Sequence, residues 1–292
     1  MASLQAVNER GWRMGFANLL RKENGAWWRT RNWLVQSIIW FCVLNGLLAT
    51  VLWAPVQQST ASQEARAAIR EDAAANEAQG ALLDLMQEKP TAGLILFFLM
   101  SGIALPIAAV IAGQDVIIGE KQSGTAAWVL SKPVSRPAFI LAKLLADGLG
   151  FLVTGIVVQG VIAYLQVSLA AGAPLSVANF IGGLALTYLN LLFYFTLTLM
   201  LGTFFAGRGP VIGIALALLL GYQLLLGIAP GLALIGPWAL VMNIMGGLPL
   251  SATVALGLPL PSADAVLPMV GTAVWCVVFG AVAIWRFQRE EF

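Results

Sequence analysis

Residues 92–113 read AGLILFFLMSGIALPIAAVIAG, 22 positions without a single charge. A helix rises 1.5 Å per residue and the hydrocarbon core of a bilayer is about 30 Å thick, so roughly 20 such residues cross it. The stretch reads as a membrane span. Five further runs of the same character lie at 33–53, 144–169, 180–205, 211–229 and 266–285. The fold expected is therefore an all-α integral membrane protein with six transmembrane helices.

Composition agrees. Of 292 residues, 59% are hydrophobic and 10% are charged, where a soluble domain carries roughly 25% charged positions. His is absent, and the two cysteines, Cys42 and Cys276, fall inside the first and last spans. Those counts exclude His-ligated haem, His-containing zinc sites and Ser-His or Cys-His catalysis. Buried cysteines of this kind read as small packing residues. A net charge of +2 is too small to imply nucleic-acid binding.

The distribution of charge says more than its sum, because Lys and Arg accumulate on the cytoplasmic side of membranes. With both termini inside, Arg10, Arg13, Arg21, Lys22, Arg29, Arg31, Lys121, Lys132, Arg136, Lys143, Arg208, Arg286 and Arg289 are cytoplasmic, and only Arg66, Arg70 and Lys89 are external. That is 13 of the 16 basic residues, an asymmetry that a shift of one span would destroy.

Residues 1–32 have the basic start of a signal peptide, but the apolar run 33–53 is too long and no small-residue cleavage site follows. Leu4, Trp12, Phe16, Leu19 and Leu20 alternate with basic residues, so 1–32 reads as a cytoplasmic amphipathic helix at the membrane interface, ahead of a six-span body over 33–292. Trp27, Trp28, Trp33 and Trp53 read as interfacial anchors. Residues 54–90, rich in Ala, Glu and Gln, read as an extracytoplasmic helical insert. Residues 230–265 lie between spans five and six and should face outward, yet they are apolar and broken by Gly and Pro. Short helices that re-enter the outer leaflet, sheltered by protein, are the physical solution.

Residues 114–143 form the longest internal cytoplasmic segment. Within it, Gly119-Glu-Lys-Gln-Ser-Gly-Thr125 approaches a phosphate loop, but Thr125 stands where the essential Lys belongs, so nucleotide binding is not read here. The fuller string runs Asp115, Gly119-Glu120-Lys121, Gly124-Thr125, Pro133-Val-Ser-Arg136 and Lys143. It resembles the permease subunits of ABC-2 type exporters, whose loop after the second span carries an acidic residue, Gly-Glu, Gly-Thr, a Pro-x-Ser-Arg turn and a Lys opening the third span. Lys22-Glu23 followed by Arg29 and Arg31 is similar to that family's entry into the first span.

The resemblance implies a multi-pass permease of the cell (inner) membrane in a dimer with a second permease subunit, identical or not. Its cytoplasmic loop and amino-terminal helix would rest on a separate ABC ATPase that binds ATP and Mg, leaving this chain without cofactor, metal or catalytic residue. Asp115, Gly119, Glu120, Lys121, Gly124, Thr125 and Arg136 become the residues expected to couple to the ATPase. Asp147 is the one carboxylate inside a span, and Lys143 sits one turn before it, an expected interfacial ion pair. An ion-coupled secondary transporter is the alternative, and normally needs several ionisable groups near the midplane. An intramembrane enzyme would need paired carboxylates in the spans. Cargo is not legible.

Overall fold

The computed structural model describes residues 9–54, 87–244 and 247–290, all helix and connections without a strand among them. The insert expected over 54–90, with Arg66 and Arg70, lies almost wholly outside the described residues, as does Leu4. Helix α1 covers Phe16–Trp28. The first span is α2 (Asn32–Trp40), a π-helical turn (Phe41–Asn45) and α3 (Gly46–Trp53). The second is α4, Lys89–Gln122. After the short α5 (Thr125–Leu130) comes the third span, α6 (Arg136–Phe151), a π-helical turn (Leu152–Val157) and α7 (Val158–Ala171). The fourth is α8, Val177–Phe204, and the last is α13, Val266–Gln288.

The fifth span differs from the single run expected over 211–229. Helices α9 (Arg208–Leu220) and α10 (Tyr222–Ile228) meet at Gly221 with a bend of 68°, so among the described residues five helices are long enough to cross, or six if the bent pair counts as one. Beyond it, 230–265 forms short helices, including α11 (Trp238–Val241) and α12 (Leu250–Ala255), packed against α4 and α8.

Helix α8 is the axis of the bundle, contacting α4, α13 and α12 along its length. Leu94, Phe98 and Leu105 of α4 and Leu191, Phe195 and Leu199 of α8 are sealed in the core. A helix buried on several sides has little room for unsatisfied backbone, and here each break in a ladder is met by a polar side chain. Pro106 has no N–H for the carbonyl of Gly102, and Asn190 of α8 donates to that oxygen at 2.9 Å. A π-turn likewise disturbs the i, i+4 ladder. The Gln159 amide donates to Ser37 O at 3.0 Å and Thr154 O at 2.9 Å, while Asn45 donates to its Oε1 at 2.9 Å, joining the two π-turns. At the 68° bend, the Trp238 indole donates to Leu218 O at 3.0 Å. The polar span residues Asn45, Gln159 and Asn190 are thus interhelical hydrogen-bonders.

Asn190→Leu should therefore strand the Gly102 carbonyl and lower stability by about 1–3 kcal/mol, read as a lower melting temperature in detergent. Adding Pro106→Ala returns a backbone donor to that oxygen and should recover most of the loss. An unrecovered loss would mean that Asn190 acts through packing alone.

Helix α1 runs beside α6 in the same direction. Gly15 meets Val134, Glu23 meets Lys143 and Trp27 meets Asp147 and Gly150, so rising number in one follows rising number in the other. The first span continues the pairing through Ser37 and Asn45 against Gln159. Thirteen of the fourteen described basic residues gather toward one end of the bundle, and Lys89 is at the other, donating to Ala54 O at 3.1 Å.

Candidate functional site

At this basic end the segment 114–143, expected as a loop, is mostly helix. Helix α4 continues through Gln122 and α6 starts at Arg136, leaving α5 as a short handle between two long levers. The motif residues build the handle. Gly124 takes φ +70°, the left-handed turn that ends α4 and that L-residues resist, and the Ser123 N–H closes on Gly119 O at 3.0 Å. Thr125 and Ser123 join hydroxyl to hydroxyl at 2.8 Å. Ser135 caps α6 by accepting from the Ala138 N–H at 3.2 Å, with Pro137 tolerated in the first turn, where its missing N–H costs nothing. Ser135 also anchors the chain start, its N–H donating to Met14 O at 2.9 Å and its hydroxyl to Trp12 O.

Glu120 and Lys121, side by side at the end of α4, face different halves of the bundle because successive helical residues point about 100° apart. Glu120 Oε1 lies 2.9 Å from Lys143 Nζ and 3.3 Å from Lys22 Nζ; Glu23 completes the group at 3.4 Å from each lysine. Lys143 is 4% exposed at the side chain. Partial burial pulls the Lys22 ammonium down, but the Glu23 and Glu120 carboxylates outweigh this and hold it above its ordinary value. A pKa raised on folding keeps its contribution at neutral pH and loses it only in strong base. This cluster ties α1, α4 and α6 together.

Lys121 turns the other way. Its ammonium lies 2.7 Å from Glu290 Oε1 and donates to Gly202 O at 3.1 Å and Thr203 O at 3.3 Å, capping the negative end of α8. Arg136 donates to Gln288 O at 2.6 Å, capping α13. Asp115 pairs with Arg208 at 2.6 Å, and Gly119 leaves room for that carboxylate, since a Cβ there would sit 2.7 Å from Asp115 Oδ1.

The pair expected between Lys143 and Asp147 is replaced by other partners. Asp147 Oδ1 accepts from the Trp27 indole at 2.7 Å, and Lys143 turns to the carboxylates that α1 and α4 deliver. Trp27 is thus no free interfacial anchor: its ring lies on Phe151 at 5.4 Å and covers Gly150, where a Cβ would meet it at 2.4 Å. Trp28, Trp33 and Trp53 stay exposed. Sequence reasoning missed the roles of Trp27, Arg208 and Glu290 and the contact of Glu23 with Lys143, all of which join residues far apart along the chain.

What the basic end offers to water is the handle. Trp128 of α5 is 66% exposed with Lys132 over its ring at 5.4 Å, and Trp12 is 53% exposed with Arg13 at 4.8 Å. Glu120 and Lys121, by contrast, are turned inward. Among the described residues no three His, Cys, Asp or Glu side chains are grouped to hold a metal. A family model described as ABC-2 family transporter protein matches residues 17–292. No curated protein matches the chain.

Proposed function

This chain belongs to the ABC-2 family of transporter proteins, a membrane component without the catalytic groups of an ATPase, and from that premise we propose that it is the permease subunit of an ATP-driven exporter. In ABC transporters generally, ATP binds to a separate ATPase subunit. We place the basic end in the cytoplasm and dock the ATPase, with its ATP and Mg, on α5 and the 3-10 turn Gly11–Arg13. A second permease subunit completes the transporter in the cell membrane. Re-entry of 230–265 into the outer leaflet and an external position for 54–90 belong to the same reading.

The observation that carries the proposal is the exposed Trp128 on a six-residue helix strung between two long span helices. Trp and Arg dominate the energetics of protein interfaces, and a large aromatic held out on a rigid handle fits a partner better than it fits water. Partner movement at α5 passes into α4 and α6 directly, and through the Glu120 cluster into α1. Alternating access then follows as rotation of these helices against α8. Glu120 acts in this scheme from inside the protein, so Glu120→Gln should leave docking intact and weaken transmission. Asp147, the carboxylate that an ion-coupled transporter would use, is instead bonded to Trp27.

Purification from native membranes in mild detergent tests the assignment. An ABC ATPase should co-elute with the chain in stoichiometric amount, and a chain that elutes with none would overturn it.

A further inference from the structure

Both ends of the handle also grip a region that the sequence motifs do not reach. Before α5, Lys121 holds Glu290 at 2.7 Å; after α5, Arg136 holds Gln288 O at 2.6 Å. One turn into α6, Phe139 stacks on Phe287 with centroids 5.2 Å apart and planes 5° apart, and Lys143 of the ionic cluster lies 5.1 Å from the Phe139 ring. The final turn of α13 is therefore clasped from both sides of α5. Lys121 and Glu290 are 15% and 21% exposed at their side chains, so the pair is largely screened from water, where an ion pair matters more than on an open surface.

We infer that Glu290 is a positioning residue: by holding the end of α13 on Lys121 it carries displacement at the start of α5 into α13, so that α13 moves with α8, α1 and α6. Without it the start of α5 would still hold α8, through Lys121 on Gly202 O and Thr203 O, but would lose its grip on α13, which would be left to Arg136 and Phe139 on the far side of α5. The inference rests on the proposed function for the source of the displacement, but the link itself belongs to this chain.

The link is tested on the full chain in lipid nanodiscs, with Cys42 and Cys276 replaced by Ala and spin labels at Ala127→Cys and Gln288→Cys, both exposed positions. A single narrow distance population is expected. Glu290→Gln should lose it to a broader, longer one, and in a Lys121→Met background the same Glu290→Gln change should add nothing, as a double-mutant cycle requires of a true pair. Broadening of equal size in both backgrounds, or none in either, would overturn the inference. In the assembly with its ATPase, vanadate trapping should leave the 127–288 distance unchanged with Glu290 and lengthen it in Glu290→Gln; lengthening with Glu290 present would also overturn it. Failure to recover any ATPase would count against the proposed function while leaving the first comparison intact.

Discussion

Lys143→Met should be the most damaging single substitution at the basic end. It leaves Glu23 and Glu120, two largely buried carboxylates that share one ammonium, with only the half-exposed Lys22 between them. Breaking a buried ion pair from one side costs about 3–5 kcal/mol, since the remaining charge has lost its solvation and its partner. The expected result is a large drop in folded, extractable protein and in melting temperature. Lys143→Met combined with Glu120→Gln should recover part of the loss by removing one of the stranded charges. Lys132→Met, an exposed lysine beside the same handle, should change stability little. If Lys143→Met melts like the unaltered protein, the cluster does not hold α1 to the spans.

Trp128→Ala should do the reverse, sparing the fold and removing the partner. The side chain is exposed, so its truncation opens no cavity. If it fills a pocket on the ATPase, as buried anchors at interfaces do, its loss costs about 2 kcal/mol or more, a weakening of roughly 30-fold in affinity. Binding measured between the purified permease and its ATPase should fall by that factor, with the melting curve of the permease unchanged. Equal affinity would move the docking surface away from α5.

The membrane class of this fold was legible from apolar runs alone, and 13 of the 14 described basic residues lie toward one end of the bundle. The motif at 115–143 did not show the shape of its stretch, which is mostly helix. Helix α4 continues through Gln122 beyond the apolar run, since Glu120, Lys121 and Gln122 are good helix formers, no Pro interrupts Asp115 to Gln122, and the single Gly119 weakens the helix without ending it. Partners were the harder part. The i, i+4 rule sees one helix at a time, so it paired Lys143 with Asp147; the carboxylates that take Lys143 lie 23 and 120 residues away. Trp27 shows the same blindness, because an aromatic at a membrane boundary looks like an anchor until a neighbouring span supplies Asp147 and Gly150. The π-turns and the bend at Gly221 had no sequence signature, and the polar span residues Asn45, Gln159 and Asn190 find their partners on neighbouring helices.

The central claim is that α5 is where an ATPase pushes on this permease, and a photo-crosslinking residue at position 128 tests it most directly. With the chain expressed in its native membrane, irradiation should give an adduct with a cytoplasmic ABC ATPase, and the same residue at position 111, an exposed apolar site on α4, should not. An adduct at position 128 with lipid or with another membrane chain, and none with an ATPase, would contradict the account.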